Sequence, residues 1–138
     1  MNEHDRLVDR AARDAHTVLF VGGLDAGKST LARAVAAYAL TLGRTVSYLD
    51  GDLGQKTVGP PGTVGVKRLR SPDDLTFERL SAADALAFVG STSPQGHLLP
   101  LVTGMARMHA RARAEGSDRK STRLNSSHSR ASRMPSSA

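Results

Sequence analysis

The sequence predicts an α/β fold: a parallel sheet with flanking helices, present here in incomplete form. Two observations carry this expectation. Apolar, β-branched runs alternate with stretches of helical periodicity. A glycine-rich turn then joins the first such run to the first amphipathic helix, as in a strand–turn–helix unit. A chain of 138 residues holds one domain at most.

The elements follow in order. Residues 1–15 are polar, with Leu7, Val8, Ala11 and Ala12 on one helical face, and read as a short lead-in helix. The run Thr17-Val18-Leu19-Phe20-Val21 is expected as a buried parallel strand. Residues 28–42 place Leu31, Val35, Tyr38 and Leu42 at steps of four, three and four, and Gly43 suits the position that stops a helix. A second strand is expected over residues 45–49. Residues 51–65, with five glycines and two prolines, read as a loop. Residues 64–69 suit a short strand. A helix is expected within residues 71–84, with Ser71 and Pro72 at N-cap and N1. Residues 86–89 suit a third buried strand ending at Gly90. Ser93 and Pro94 offer another N-cap and N1 pair before a helix over residues 97–114, with Leu98, Leu101, Val102, Met105 and Met108 inward.

Composition narrows the function classes. The absence of cysteine excludes a disulfide framework and a cysteine-ligated metal centre. No apolar run reaches the length of a membrane span, and the first residues lack the apolar core of a secretory signal, so the expected compartment is the cytoplasm. Of the net charge of +6, residues 118–138 carry +4 and the rest +2. The body therefore gives little support for a nucleic-acid surface on charge alone. The tail has serine at 7 of 21 positions and no periodicity, which suits a disordered segment. Its residues 118–128 and 132–138 resemble the translation of a sequencing adapter. The expected organisation is thus a lead-in over 1–16, a partial domain over 17–117 and a foreign, disordered tail over 118–138. The natural protein is expected to continue beyond Gly116, and the chain as it stands is expected to be poorly soluble or inactive.

Gly22-Gly23-Leu24-Asp25-Ala26-Gly27-Lys28-Ser29 fits the phosphate-loop pattern. Its glycines let main-chain N–H groups converge on one phosphate, Lys28 reaches the β- and γ-phosphates, and the Ser29 hydroxyl ligates Mg²⁺. The helix that follows adds its positive end, so Gly22, Gly23, Asp25, Ala26, Gly27, Lys28, Ser29 and Thr30 are the expected nucleotide contacts. The pattern makes the domain P-loop NTPase-type. Asp50 and Asp52 follow the second strand, where a parallel sheet opens its crevice. One carboxylate could hold a Mg²⁺-bound water, with Asp50 the expected metal residue beside Ser29, and the other could accept a proton. Two capping carboxylates in a glycine-rich turn would give the same spacing.

Four segments then stand in order: residues 22–30, Asp50-Gly51-Asp52-Leu53-Gly54-Gln55, Gly59-Pro60-Pro61-Gly62-Thr63 and Phe88-Val89-Gly90-Ser91-Thr92-Ser93-Pro94. Together they resemble the polynucleotide 5′-hydroxyl kinase family, the RNA kinases related to the pre-mRNA cleavage and polyadenylation factor and to ribosomal-RNA processing kinases. The resemblance covers residues 17–116. It implies ATP and Mg²⁺ as cofactors, with Lys28 and Ser29 on the phosphates and metal. It implies Asp52 as general base for the RNA 5′-hydroxyl and Gln55 as a group that helps hold water or metal near the γ-phosphate. Residues 59–63 match the family's clasp, so Pro61, Gly62 and Thr63 are expected beside the terminal nucleotide of an RNA or DNA substrate. The lid arginines of the family lie further along than this chain reaches. Two other functions fit the same motifs: an ATP-binding scaffold without catalysis, and a P-loop phosphotransferase or NTPase acting on another substrate.

Overall fold

The computed structural model describes residues 1–22 and 27–124. Helix α1 spans Glu3–Asp14, α2 Lys28–Thr41 and α4 Leu98–Leu124, with a short α3 over Phe77–Ser81. Strands β1 (Val46–Asp50), β2 (Thr63–Leu69) and β3 (Ala85–Phe88) form one sheet in the order β1-β2-β3.

Both strand pairs are antiparallel, Asp50 facing Gly65 and Thr63 facing Phe88. The expected parallel sheet is therefore not what the described residues form. β1 and β3 do point the same way, but β2 lies between them and runs against both. A loop returning β1 to an adjacent strand needs no helical crossover, so antiparallel pairing is open to it. Residues 17–21 join no ladder. Val18, Leu19 and Val21 are exposed, and Phe20 packs against the cluster of Val35, Ala39 and Ala12.

Strand alternation separates two cores. Val64, Val66 and Ala87 face α4, where Met108 is buried and Leu101, Met105 and Ala112 pack on the sheet. Val46, Tyr48 and Leu69 face the other way, toward Ala36 and Leu40 of α2, with Val58 and Leu80 fully buried beside them. Leu98 and Val102, expected inward, are exposed; Val102 lies off the 101–105–108–112 row that meets the sheet. Gly104 lets α4 approach closely, since a Cβ there would stand 3.1 Å from Ala87 Cβ.

The helix ends follow from local chemistry. The Asn2 side chain accepts the Asp5 N–H at 2.8 Å and starts α1. Gly43, with φ +78°, donates to Leu40 O while Arg44 N–H reaches Ala39 O, the paired bonds of a Schellman stop. The Arg44 guanidinium then caps α1, donating to Ala12 O at 2.7 Å and Arg13 O at 3.1 Å. Residues 71–84 hold two short pieces rather than one helix, a 3₁₀ turn over Pro72–Leu75 and then α3. Ser93-Pro94 does not start α4. A turn in which His97 N–H donates to Pro94 O intervenes, and α4 begins at Leu98.

Asp74 secures the 3₁₀ turn. Its Oδ2 accepts Arg70 N–H at 2.8 Å and Ser71 N–H at 3.4 Å. The Arg70 bond above all holds this carboxyl below the ordinary carboxylate value. A depressed folded pKa stabilises the fold above the unfolded value and loses that effect as pH falls through the folded one. Asp74→Asn is therefore expected to melt below the parent at pH 7, the gap closing as pH drops below 3.8. Thermal midpoints across a pH series check this.

Candidate functional site

The carboxyl ends of β1 and β3 and the start of β2 lie at one end of the sheet, as their register requires. The loops 51–62 and 89–97 therefore emerge there. α2 is followed directly by β1 and packs along it, so the start of α2 comes to the same end.

Gly27 precedes α2 with φ +81°, a left-handed conformation that glycine adopts without strain. Lys28 is the first helical residue, and its Nζ donates to Gly22 O at 2.6 Å, tying the two ends of the glycine-rich turn. Ser29 and Thr30 are exposed. Gly23, Asp25 and Ala26 lie outside the described residues.

Ser29 meets β1 through Tyr48. Burial, and then the Asp50 carboxylate, push the Tyr48 hydroxyl above its usual range, while Arg33 and the Ser29 hydroxyl oppose them. The helix start and the end of β1 are thus neighbours. No hydrogen bond or ion pair among the described residues joins Lys28 to Asp52.

Asp50 turns inward, contrary to the expectation that it faces a metal. It is 8% exposed. Its Oδ1 accepts Asp52 N–H at 3.0 Å, and its Oδ2 accepts Thr57 N–H at 2.6 Å and Val58 N–H at 2.9 Å. Lys56 Nζ lies 3.4 Å from the same Oδ2. The physical reason is strand parity: Asp50 shares a face with Val46 and Tyr48, so its side chain enters the α2 side of the core. Lys56 is absent from the motif reading, and only the burial of Asp50 marks it as a partner.

Asp52 points outward. Its Oδ1 accepts Gly54 N–H at 3.1 Å and Gln55 N–H at 3.0 Å, an Asx turn, and Oδ2 makes no hydrogen bond within the described residues. Gln55 is exposed beside it. The loop closes on the proline-rich turn, where Gly62 N–H donates to Leu53 O at 3.0 Å. Gly62 O in turn accepts Val89 N–H at 2.9 Å and Gly90 N–H at 3.1 Å. Thr63 is buried, its hydroxyl donating to Pro60 O at 2.7 Å, while Pro61 is exposed. Gly54 lies against Thr92, whose carbonyl would be 3.2 Å from an added Cβ. Ser91 Oγ accepts Ser93 N–H at 3.1 Å, and Ser93 Oγ bonds the Gln95 side chain. Three of the four sequence segments thus meet here, Asp52 and Gln55 beside the turn at 59–63 and the loop after β3. The phosphate-loop helix comes as far as the end of β1, through Tyr48.

Among the described residues no three His, Asp or Glu side chains converge on one point. Ser29 offers one accessible hydroxyl, and Mg²⁺ bound through phosphates and waters needs few protein ligands.

Residues 22–125 match the mRNA cleavage and polyadenylation factor CLP1 P-loop family. The chain belongs to this family, an RNA-processing group of P-loop proteins related to polynucleotide kinases. Comparison with curated proteins gives no significant match. No helix among the described residues is long and apolar enough to cross a membrane.

Proposed function

We propose that the family reading extends to chemistry: ATP-dependent phosphorylation of the 5′-hydroxyl end of RNA or DNA. The observation that carries it is the outward Asp52 carboxylate, pinned through one oxygen beside the turn at residues 59–63. Lys28 and the main-chain amides of the turn it closes hold the triphosphate, and the Ser29 hydroxyl holds the Mg²⁺ that accompanies it. When bound, that ion draws charge from the phosphate oxygens. The 5′-oxygen forms a bond to the γ-phosphorus as the bond from that phosphorus to the β–γ bridging oxygen breaks. ADP leaves, and the proton of the hydroxyl passes to Asp52. Gln55 stands near the γ-phosphate, and Pro61, Gly62 and Thr63 flank the terminal nucleotide.

The same proposal covers organisation. Residues 17–21 supply a parallel strand to the sheet in the full domain, and residues 118–138 are foreign to it. The exposure of Val18, Leu19 and Val21 supports the first part, because an apolar run of this kind gains most from a covered sheet position.

Radiolabel transfer from γ-labelled ATP to a 5′-hydroxyl oligonucleotide tests the activity. The protein used is the product of the uninterrupted gene carrying residues 1–116. Lys28→Ala is expected to weaken ATP binding roughly ten- to a hundredfold, the value of a charge-assisted bond. ATP binding without transfer would identify a scaffold instead and reject the kinase.

A further inference from the structure

Asp50 and Lys56 form a buried ion pair to which the proposed chemistry assigns no task. We propose that this pair is a latch that positions Asp52, with Lys56 acting through Asp50; the inference rests on the reading of Asp52 as the base.

The geometry is that of a clamp on both flanks of one loop. Asp50 ends β1 and gathers Asp52 N–H on one side and Thr57 and Val58 N–H on the other. Lys56 lies between these flanks with its side chain 4% exposed. Its ammonium donates to Asp50 O at 2.8 Å and stands against Asp50 Oδ2. One carboxylate and one ammonium thus tie the two flanks of residues 50–58 together, while Leu53 and Val58 anchor the same loop in the two apolar clusters. Asp52 is held at two points as a result, its N–H by Asp50 and its Oδ1 by the amides of Gly54 and Gln55. Only Oδ2 is left over, at a set position beyond the end of β1.

An ion pair this deep is poor at stabilising a fold compared with apolar residues of the same volume. Where the pair instead dictates the course of a loop, the geometric task accounts for the charges. Lys56 supports this from a second side. Burial pushes its pKa down, while Asp50 and, more weakly, Asp52 push it back up. The ammonium thus lies within electrostatic reach of the carboxylate it helps to place.

Amide hydrogen exchange on the 138-residue chain provides the first test, with Lys56→Met and Lys56→Arg. Lys56→Met is expected to speed exchange at Asp52, Thr57 and Val58 about tenfold, leaving β2 and α4 unchanged. Lys56→Arg, which keeps the charge, restores protection. Steady-state transfer by the uninterrupted protein provides the second. There Lys56→Met is expected to lower kcat roughly 10- to 100-fold with KM for ATP unchanged. The double variant Asp50→Asn/Lys56→Met leaves no orphaned charge and should show the same kcat loss even if the single variant folds poorly. Unchanged exchange at Asp52, exchange raised uniformly through α4 and β2, or an unchanged kcat would each overturn the latch. A wild type that transfers no phosphate would overturn the kinase reading and with it the task of Asp52. A wild type that does transfer, with a kcat indifferent to Lys56→Met, overturns the latch alone.

Discussion

Asp52→Ala is expected to slow 5′-hydroxyl phosphorylation by about 10²–10⁴-fold, the usual contribution of a positioned general base. ATP affinity should stay within about twofold, because the phosphate contacts come from the start of α2 rather than from this loop. Alanine also removes the acceptor for Gly54 and Gln55 N–H, so the loop could shift for a structural reason. Asp52→Asn separates the two effects. The amide keeps an oxygen for both N–H groups but cannot take a proton from the attacking hydroxyl. Equal loss in both variants assigns the effect to proton acceptance. A rate retained in Asp52→Asn would remove Asp52 from the chemistry. Rapid-quench transfer measured beside equilibrium ATP binding makes the distinction.

Gly65→Ala is the substitution with the largest expected cost to the fold. Gly65 is a buried residue of β2, opposite Asp50, and the carbonyl of Val58 lies directly over it. An added Cβ would stand 2.4 Å from Val58 O and 3.0 Å from Val58 C. The obstacle is main chain, so no rotamer change relieves it, and Val58 is itself fully buried. The loop holding Asp52 would have to lift off the sheet, at about 3 kcal/mol, the upper end of ordinary overpacking. Chemical denaturation should report that loss, and a variant as stable as the parent would show that the loop can move away at little cost. Gly51→Ala is a useful contrast. There the blocking atom is Met105 Sδ, at 2.4 Å, on a flexible side chain that can swing aside.

The helix α2 and strand β1 were legible because each is fixed by near neighbours in sequence; β3 was legible in position but not as the buried strand expected, since Leu86 and Phe88 are exposed. The 4-3-4 spacing of Leu31, Val35, Tyr38 and Leu42 and the stop at Gly43 are local signals, and the Schellman bonds formed where they pointed. What was not legible was pairing. The alternation of Val64 and Val66 suits a strand of either direction, and nothing in residues 63–69 announces that they insert between β1 and β3. Residues 17–21 carry a strand's composition but find no ladder among the described residues, which no local signal could reveal. At the site, Asp50 and Asp52 looked equivalent because both are acidic and two apart. Parity separates them, since residues two apart on a continuing strand would share a face, and β1 ends between them. Asp50, still on the strand, follows Val46 and Tyr48 inward, while Asp52, past its end, turns out to solvent. Lys56 escaped notice because a lysine six residues on reads as surface until a buried carboxylate requires a counter-ion.

The guanidinium of Arg44 on the carbonyls of Ala12 and Arg13 makes the opening helix and the α2–β1 turn a single cooperative body. Trimming residues 1–14 would leave that cation without its acceptors and strip the cover from Val35 and Ala39. A shortened version would lose its hold first where α2 hands over to β1, the strand that delivers both aspartates. The polar beginning of this chain is thus a brace for its most functional strand, and deletion should start elsewhere.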